Sequence, residues 1–169
     1  MARNNRQKLI NLALNRELIL LYLRYFVYDS PVPASFVRSL PLTLPIPSSP
    51  FSLPDRKYKC DEIMVIVATS EIGKGSAGTA LRGTLEPHDM DAVTPLDAVL
   101  KFAFEDWQRD SLKSEYEVYL LLKSKGVHQG ITTVLGHFED VEGSACALVM
   151  LYAGVPISDV GRKLTISEW

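Results

Sequence analysis

Apolar positions along the chain follow two rhythms. Over residues 9–28 they fall at Ile10, Ala13, Leu14, Leu18, Leu21, Tyr22 and Tyr25, the spacing of one helical face, which predicts a helix. From about Lys59 the pattern changes to short runs. Ile63 to Ala68 is β-branched, Thr79 to Leu85 reads as a second strand and Ala98 to Phe104 as a third. Residues 107–125 predict a helix, ended by Gly126 where a left-handed cap is favoured. Ile131 to Phe138 and Ala145 to Tyr152 supply two more strands, joined through a turn at Gly143. The order is β-β-β-α-β-β. Short connections between successive strands favour an α+β fold, a five-stranded antiparallel sheet with one helix against it.

Between these zones, residues 30–54 hold seven of the ten prolines, and all ten glycines follow residue 72. Proline removes a backbone donor and biases its predecessor to extended geometry, so this stretch predicts a polyproline-type linker. The chain therefore divides into an N-terminal helical leader (1–29), a Pro-rich linker (30–58) and a folded domain (59–169).

Composition narrows the function classes. At 169 residues, with 47% hydrophobic and 22% charged residues, the chain is globular in type. Residues 1–59 carry nine Lys/Arg against three Asp/Glu, whereas residues 60–169 carry nine against seventeen. The acidic domain would repel a phosphate backbone, so nucleic acid is not an expected partner. Leu18 to Leu23 is the longest uninterrupted apolar run of the leader, far short of the roughly 20 residues that span a bilayer. Cys60 and Cys146 stand alone, and His88, His128 and His137 lack metal-ligand spacing. Buried thiols and ordinary imidazoles are the expectation, in a reducing, cytoplasmic setting.

Three signals carry chemistry. In Gly73-Lys74-Gly75-Ser76-Ala77-Gly78 the glycines let a backbone turn sharply and bring its N–H groups near phosphate oxygens. A dinucleotide fingerprint would need a helix next, but Thr79 to Thr84 followed by Pro87 is poor helix material, and no Ser or Thr follows Gly73-Lys74 as a Walker loop requires. A strand–loop–strand hairpin over a nucleotide fits better. Lys101 lies in the apolar strand Ala98–Phe104, on the face shared with Val99 and Ala103 and opposite to Leu100, Phe102 and Phe104. A lysine there needs an anionic partner to offset its desolvation. Glu115 falls on the apolar stripe of helix 107–125 with Leu112, Val118, Tyr119 and Leu122, while Glu117 is turned away. Glu115 is the expected partner of Lys101.

Taken in order, Gly73-x-Gly75-x-x-Gly78, Ala98-Val99-Leu100-Lys101 and Ser114-Glu115 resemble the small lobe of eukaryotic-type protein kinases, over residues 60–169. Leu148-Val149-Met150-Leu151-Tyr152-Ala153-Gly154 resembles the family's fifth strand and hinge. The resemblance implies ATP as ligand. Gly73, Gly75, Ser76 and Gly78 would form its phosphate lid, Lys101 would hold the α- and β-phosphates, and Glu115 would orient Lys101. Met150 would be the gatekeeper, and Leu151 and Ala153 would bond adenine. Ala80 replaces the usual valine over adenine, and Val99 a smaller residue, both altering the adenine pocket.

The chain departs from the family in having no His-Arg-Asp loop, Asp-Phe-Gly or Ala-Pro-Glu. His88-Asp89-Met90-Asp91 precedes the lysine strand and sits in the wrong place. No catalytic residue is therefore assigned, and Mg2+ would be held only with a missing large lobe. The resemblance implies an incomplete kinase domain, with Ile166-Ser167-Glu168-Trp169 cut as a further helix begins. A stand-alone, non-catalytic binding or regulatory module of pseudokinase type is the alternative. A nucleotide enzyme of another fold with the same glycine loop is a third reading. The missing lobe or another protein is the expected macromolecular partner.

Overall fold

The computed structural model describes residues 2–25, 28–30, 32–39, 57–88 and 94–154. The Pro-rich stretch beyond Ser39, the Asp89–Asp91 acids and the C-terminal Ile166–Trp169 lie outside them.

Five strands and one helix follow the expected order from residue 63 onward. These strands are β4 (Ile63–Gly75), β5 (Gly78–Pro87), β6 (Leu96–Ala103), β7 (Val134–Asp140) and β8 (Cys146–Leu151). The helix α2 (Asp106–Ser124) falls between β6 and β7. Successive strands β4, β5 and β6 pair antiparallel, β6 pairs β8, and β8 pairs β7. The side chain of Gln108 accepts the N–H groups of Phe104 and Glu105 at the start of α2. Gly126, at φ +74°, closes the other end in the left-handed conformation its position predicts.

The expected open five-stranded sheet, a kinase-like small lobe behind a helical leader and linker, is overturned by what precedes these strands. The N-terminal helix α1 covers Ala2–Asn15 and stops there. Leu18–Tyr25 is a strand, β1, and Ala34–Arg38 is another, β3, with the short β2 (Tyr28–Asp29) paired to the end of β1. β1 pairs antiparallel with β3 and parallel with β4, while β3 pairs antiparallel with β7. The sheet thus runs β1-β3-β7-β8-β6-β5-β4 and back to β1, a closed, mixed, seven-stranded barrel. Closure leaves no edge among these seven strands.

The physical reason is that a six-residue apolar run has no period of its own and takes the conformation its neighbours offer. Leu18 to Leu23 lies beside Ile63 to Ala68, residue for residue. Ala34–Arg38 is a proline-free interval between Pro33 and Pro41, long enough for three ladder positions on β7.

Alternate residues of the strands fill the barrel. Ile19, Leu21, Phe36, Met64, Ile66, Leu81, Leu85, Ala98, Leu100, Phe102, Leu135, Phe138, Val149 and Leu151 form one buried cluster. α1 adds Leu9, Ile10 and Ala13 to it. Arg38 ties α1 to the barrel wall: its guanidinium donates to the carbonyls of Ala13 (2.9 Å), Arg16 (2.8 Å) and Leu135 (2.8 Å). It also lies 4.6 Å over the Phe138 ring. The carbonyls of Ala13 and Arg16 belong to the last turn and exit of α1, where orphan acceptors need a donor. A methyl group on Gly136 would run into that guanidinium, so glycine is required for its seat.

Among the described residues no helix is long and apolar enough to cross a membrane.

Candidate functional site

The outer face of β6 and β8 carries the chemistry. Register pairs share a face of a sheet: Ala80 lies opposite Lys101 and Lys101 opposite Leu148, while Arg82 lies opposite Val99 and Val99 opposite Met150. Two adjacent rows therefore hold Ala80, Lys101 and Leu148, then Arg82, Val99 and Met150. α2 packs on this face through Leu112, fully buried against Ala103, Cys146, Leu148 and Met150, with Val99, Tyr116, Tyr119 and Val134 at the margin.

Leu112 anchors the helix and Glu115 follows one turn later on the same side. The Lys101 Nζ donates to Glu115 Oε1 at 2.6 Å. Their side chains are 34% and 25% exposed, so the pair is reachable from solvent. Glu117, by contrast, is exposed. An ammonium has three donors and Glu115 takes one, which leaves N–H groups for an incoming anion. Tyr119, one turn beyond Glu115, has its hydroxyl pushed up by burial and further by the Glu115 carboxylate, with Lys101 opposing.

The pair does little for the fold. Half-exposed ion pairs contribute about 0–1 kcal/mol, and apolar replacements of buried pairs are often neutral or stabilising. A lysine at this strand position needs another reason.

The glycine motif is the tip of the β4–β5 hairpin, strand–turn–strand as its sequence predicts. Ser76 and Ala77 form the two-residue turn, with Gly75 opposite Gly78 and Gly73 opposite Ala80. Its glycines differ in what they do. Gly78 sits at φ +115°, and a methyl there would collide with the Phe102 carbonyl on β6. Gly73 and Gly75 have no positive φ, and a methyl on either would meet no other atom within 4 Å. The chain's own geometry explains one glycine; the other two leave open backbone on the strand paired to Ala80, next to Lys101.

At the other end of the rows the expected hinge residues separate. Leu151 points into the barrel core; its N–H donates to Thr133 O at 2.9 Å and its carbonyl accepts the Thr132 hydroxyl at 2.6 Å. Ala153 is exposed. Between them Tyr152 donates its backbone N–H to Asp97 O at 3.0 Å. Arg82 stacks 4.1 Å over the Tyr152 ring and bonds Asp97 Oδ2 at 3.3 Å. Arg82, Asp97 and Tyr152 were not singled out from sequence; period-two alternation from Ala80 is the signal that places Arg82 on this face.

A separate groove of about 590 Å³ lies between α1, the end of α2 and residues 127–135, bordered by Asn11, Leu14, Tyr116, Tyr119, His128 and Thr132. It meets the Lys101 face through Tyr116, Tyr119 and Val134. Among the described residues no three His, Cys, Asp or Glu side chains are gathered to hold a metal ion.

Comparison with protein-family models, curated proteins and solved structures returned no match.

Proposed function

We propose that the outer face bearing Lys101 and Glu115 binds ATP in the manner of a protein-kinase-like nucleotide site, carried on a closed barrel. The observation that supports it is the 2.6 Å ion pair placed beside a hairpin whose Gly73 and Gly75 are open to solvent contact. In this reading the ammonium, oriented by Glu115, takes phosphate oxygens, and the backbone of Gly73–Gly75 supplies N–H groups at close range. Ser76 at the turn adds a hydroxyl. Ala80 and Val99 form the apolar strip on which adenine rests, with Met150 behind Val99 and covered by Leu112, and Ala153 offers exposed backbone beyond it. Leu151 has only a second lone pair on an already engaged carbonyl.

Binding is the extent of the activity these residues support. Phosphoryl transfer needs a base for the acceptor hydroxyl and carboxylate or amide ligands for Mg2+. The 169 residues contain none of the family's motifs for either. A catalytic large lobe supplied by other residues or another chain would make this half of an active site; a pseudokinase-type binding module is the second reading, supported by the same pair. A reducing, ATP-rich cytosol suits both.

Calorimetric titration of adenosine, ADP and ATP into the protein tests the reading. ATP should bind tightest, adenosine weakest, and Lys101→Met should abolish the difference between them. Equal affinities for adenosine and ATP, or an unchanged series in Lys101→Met, would sink it.

A further inference from the structure

His137 lies on β7 two strands from Lys101 on the same outer face, opposite Leu148, which is in turn opposite Lys101. It is only 5% exposed. Its Nδ1 lies 2.8 Å from the Ser39 hydroxyl, which also lies 3.0 Å from Glu139 Oε1. A carboxylate only accepts and serine has one proton, so Ser39 donates to Glu139 and accepts from Nδ1–H. The neutral ring therefore carries its lone pair on Nε2. That nitrogen is buried and has no hydrogen-bond partner among the described residues. The ring stacks on Tyr116 of α2, centroids 5.9 Å apart and planes 23° from parallel. Tyr116 is the residue next to Glu115.

We propose that His137 is a positioning residue for Glu115: its neutral ring docks α2 through Tyr116, and its protonation releases the helix and opens the Lys101–Glu115 pair. A proton can be added only at Nε2, which would become a buried donor with nothing to receive it. Burial is the main cause of this outcome, and the charged groups around the ring divide over it, Glu139 opposing. Arg109 and Lys113 reach it from α2, both cations, while Glu139 on its own strand is already bonded to Ser39. Tyr116 faces it from α2, and on β8 the Cys146 thiol, opposite Glu139, stays protonated.

The sign follows from the shift. Burial holds the His137 pKa below the ordinary 6.5, with Glu139 opposing and Lys113 and Arg109 adding to it. The docked state then binds fewer protons than a released one, so docking is at full strength above about pH 6.5 and weakens as pH falls through the docked-state value. The consequence for ATP rests on the nucleotide reading above; the docking itself does not.

Hydrogen exchange of the full chain without nucleotide, at pH 7.5 and 5.0 and corrected for intrinsic rates, tests it. Wild-type protection over residues 106–124 should fall at least about tenfold more than that of β6 and β8, the scale of leaving one buried donor unsatisfied. In His137→Phe, which keeps a ring for Tyr116 and removes the titration, that differential should vanish. The same differential in both proteins overturns the proposal, as does protection lost evenly over the barrel. Should His137→Phe not fold, the wild-type ring signals decide: His137 must titrate below pH 6.5 with the Tyr116 ring following the same curve. Titration at or above 6.5, or an unresponsive Tyr116, overturns it too. Because no nucleotide enters these measurements, a failure here is distinct from a failure to bind ATP.

Discussion

Alanine at the three glycines of the hairpin tip separates what the fold needs from what a ligand needs. At Gly78 the substitution meets two costs. A left-handed backbone costs an L-residue about 1–2 kcal/mol. The new methyl also collides with the Phe102 carbonyl, backbone that has no flexible end to move, and forced overpacking of this kind costs about 1–3 kcal/mol. The Thr79–Phe102 register pair beside it would have to shift. Together about 2–5 kcal/mol of stability should be lost. At Gly73 and Gly75 neither cost applies, since φ is ordinary and the space is open. There alanine should be neutral or stabilise by about 0.4–1 kcal/mol, because it restricts the unfolded chain. Urea denaturation followed by circular dichroism reads the difference; with slopes of about 1–3 kcal/mol per molar, Gly78→Ala should lower the midpoint by roughly 1–2 M and the other two should not. ATP affinity should show the reverse order, falling about tenfold in folded Gly73→Ala and Gly75→Ala, where a methyl separates an N–H from phosphate. A loss above about 1 kcal/mol at Gly73 or Gly75 would refute the division, by showing that packing holds them as it holds Gly78.

Other expectations bear on the barrel and the helix. Arg38→Met should destabilise by about 3–5 kcal/mol, because it strips donors from the carbonyls of Ala13, Arg16 and Leu135 inside the structure; a midpoint within error of wild type would contradict that role. Leu112→Ala removes the one fully buried anchor of α2 and should cost about 2–5 kcal/mol, with exchange protection lost first over residues 106–124. Lys101→Met should change stability by less than about 1 kcal/mol in denaturation while removing the preference for ATP over adenosine. Of the two thiols, exposed Cys60 should react at once with a disulfide reagent at pH 8. Cys146, 1% exposed with its pKa pushed up to about 11 by burial, should react only on unfolding. The same shift means that its contribution to stability, complete below about pH 9, is lost as pH rises toward 11. Two equivalents reacting at the native rate would show that the β8 face is open.

Elements whose sequence carries its own periodicity were legible. The alternation through Ala98–Phe104 and the stripe of α2 with its Gly126 cap locate β6 and α2 within two residues, and the β-branched run at Ile63 locates the start of β4, which continues seven residues past Ala68 to Gly75. The stripe also put Glu115 on the barrel side and Glu117 in water, and alternation put Lys101 on the opposite face to Leu100 and Phe102. Legibility failed where conformation comes from a distant partner. Leu18 to Leu23 has no internal preference, and its pairing with β4 spans more than forty residues of sequence. Ala34–Arg38 was hidden by the prolines flanking it. With β1 and β3 misread, closure of the sheet could not be seen, nor could the covering of its inner face. His137 was read as an ordinary imidazole, because its strand spacing gave no sign of the Ser39 and Tyr116 contacts, which arise only when β3 and α2 come together on β7.

The most direct test of the ATP-binding reading is to ask which lysine touches the phosphates. An acyl-phosphate derivative of ATP transfers its acyl group to an amine within reach, and peptide mass spectrometry then identifies the residue. The account predicts acylation of Lys101, suppressed by excess ATP and absent in Lys101→Met. Modification spread over exposed lysines such as Lys74, with Lys101 untouched or unprotected by ATP, would contradict it.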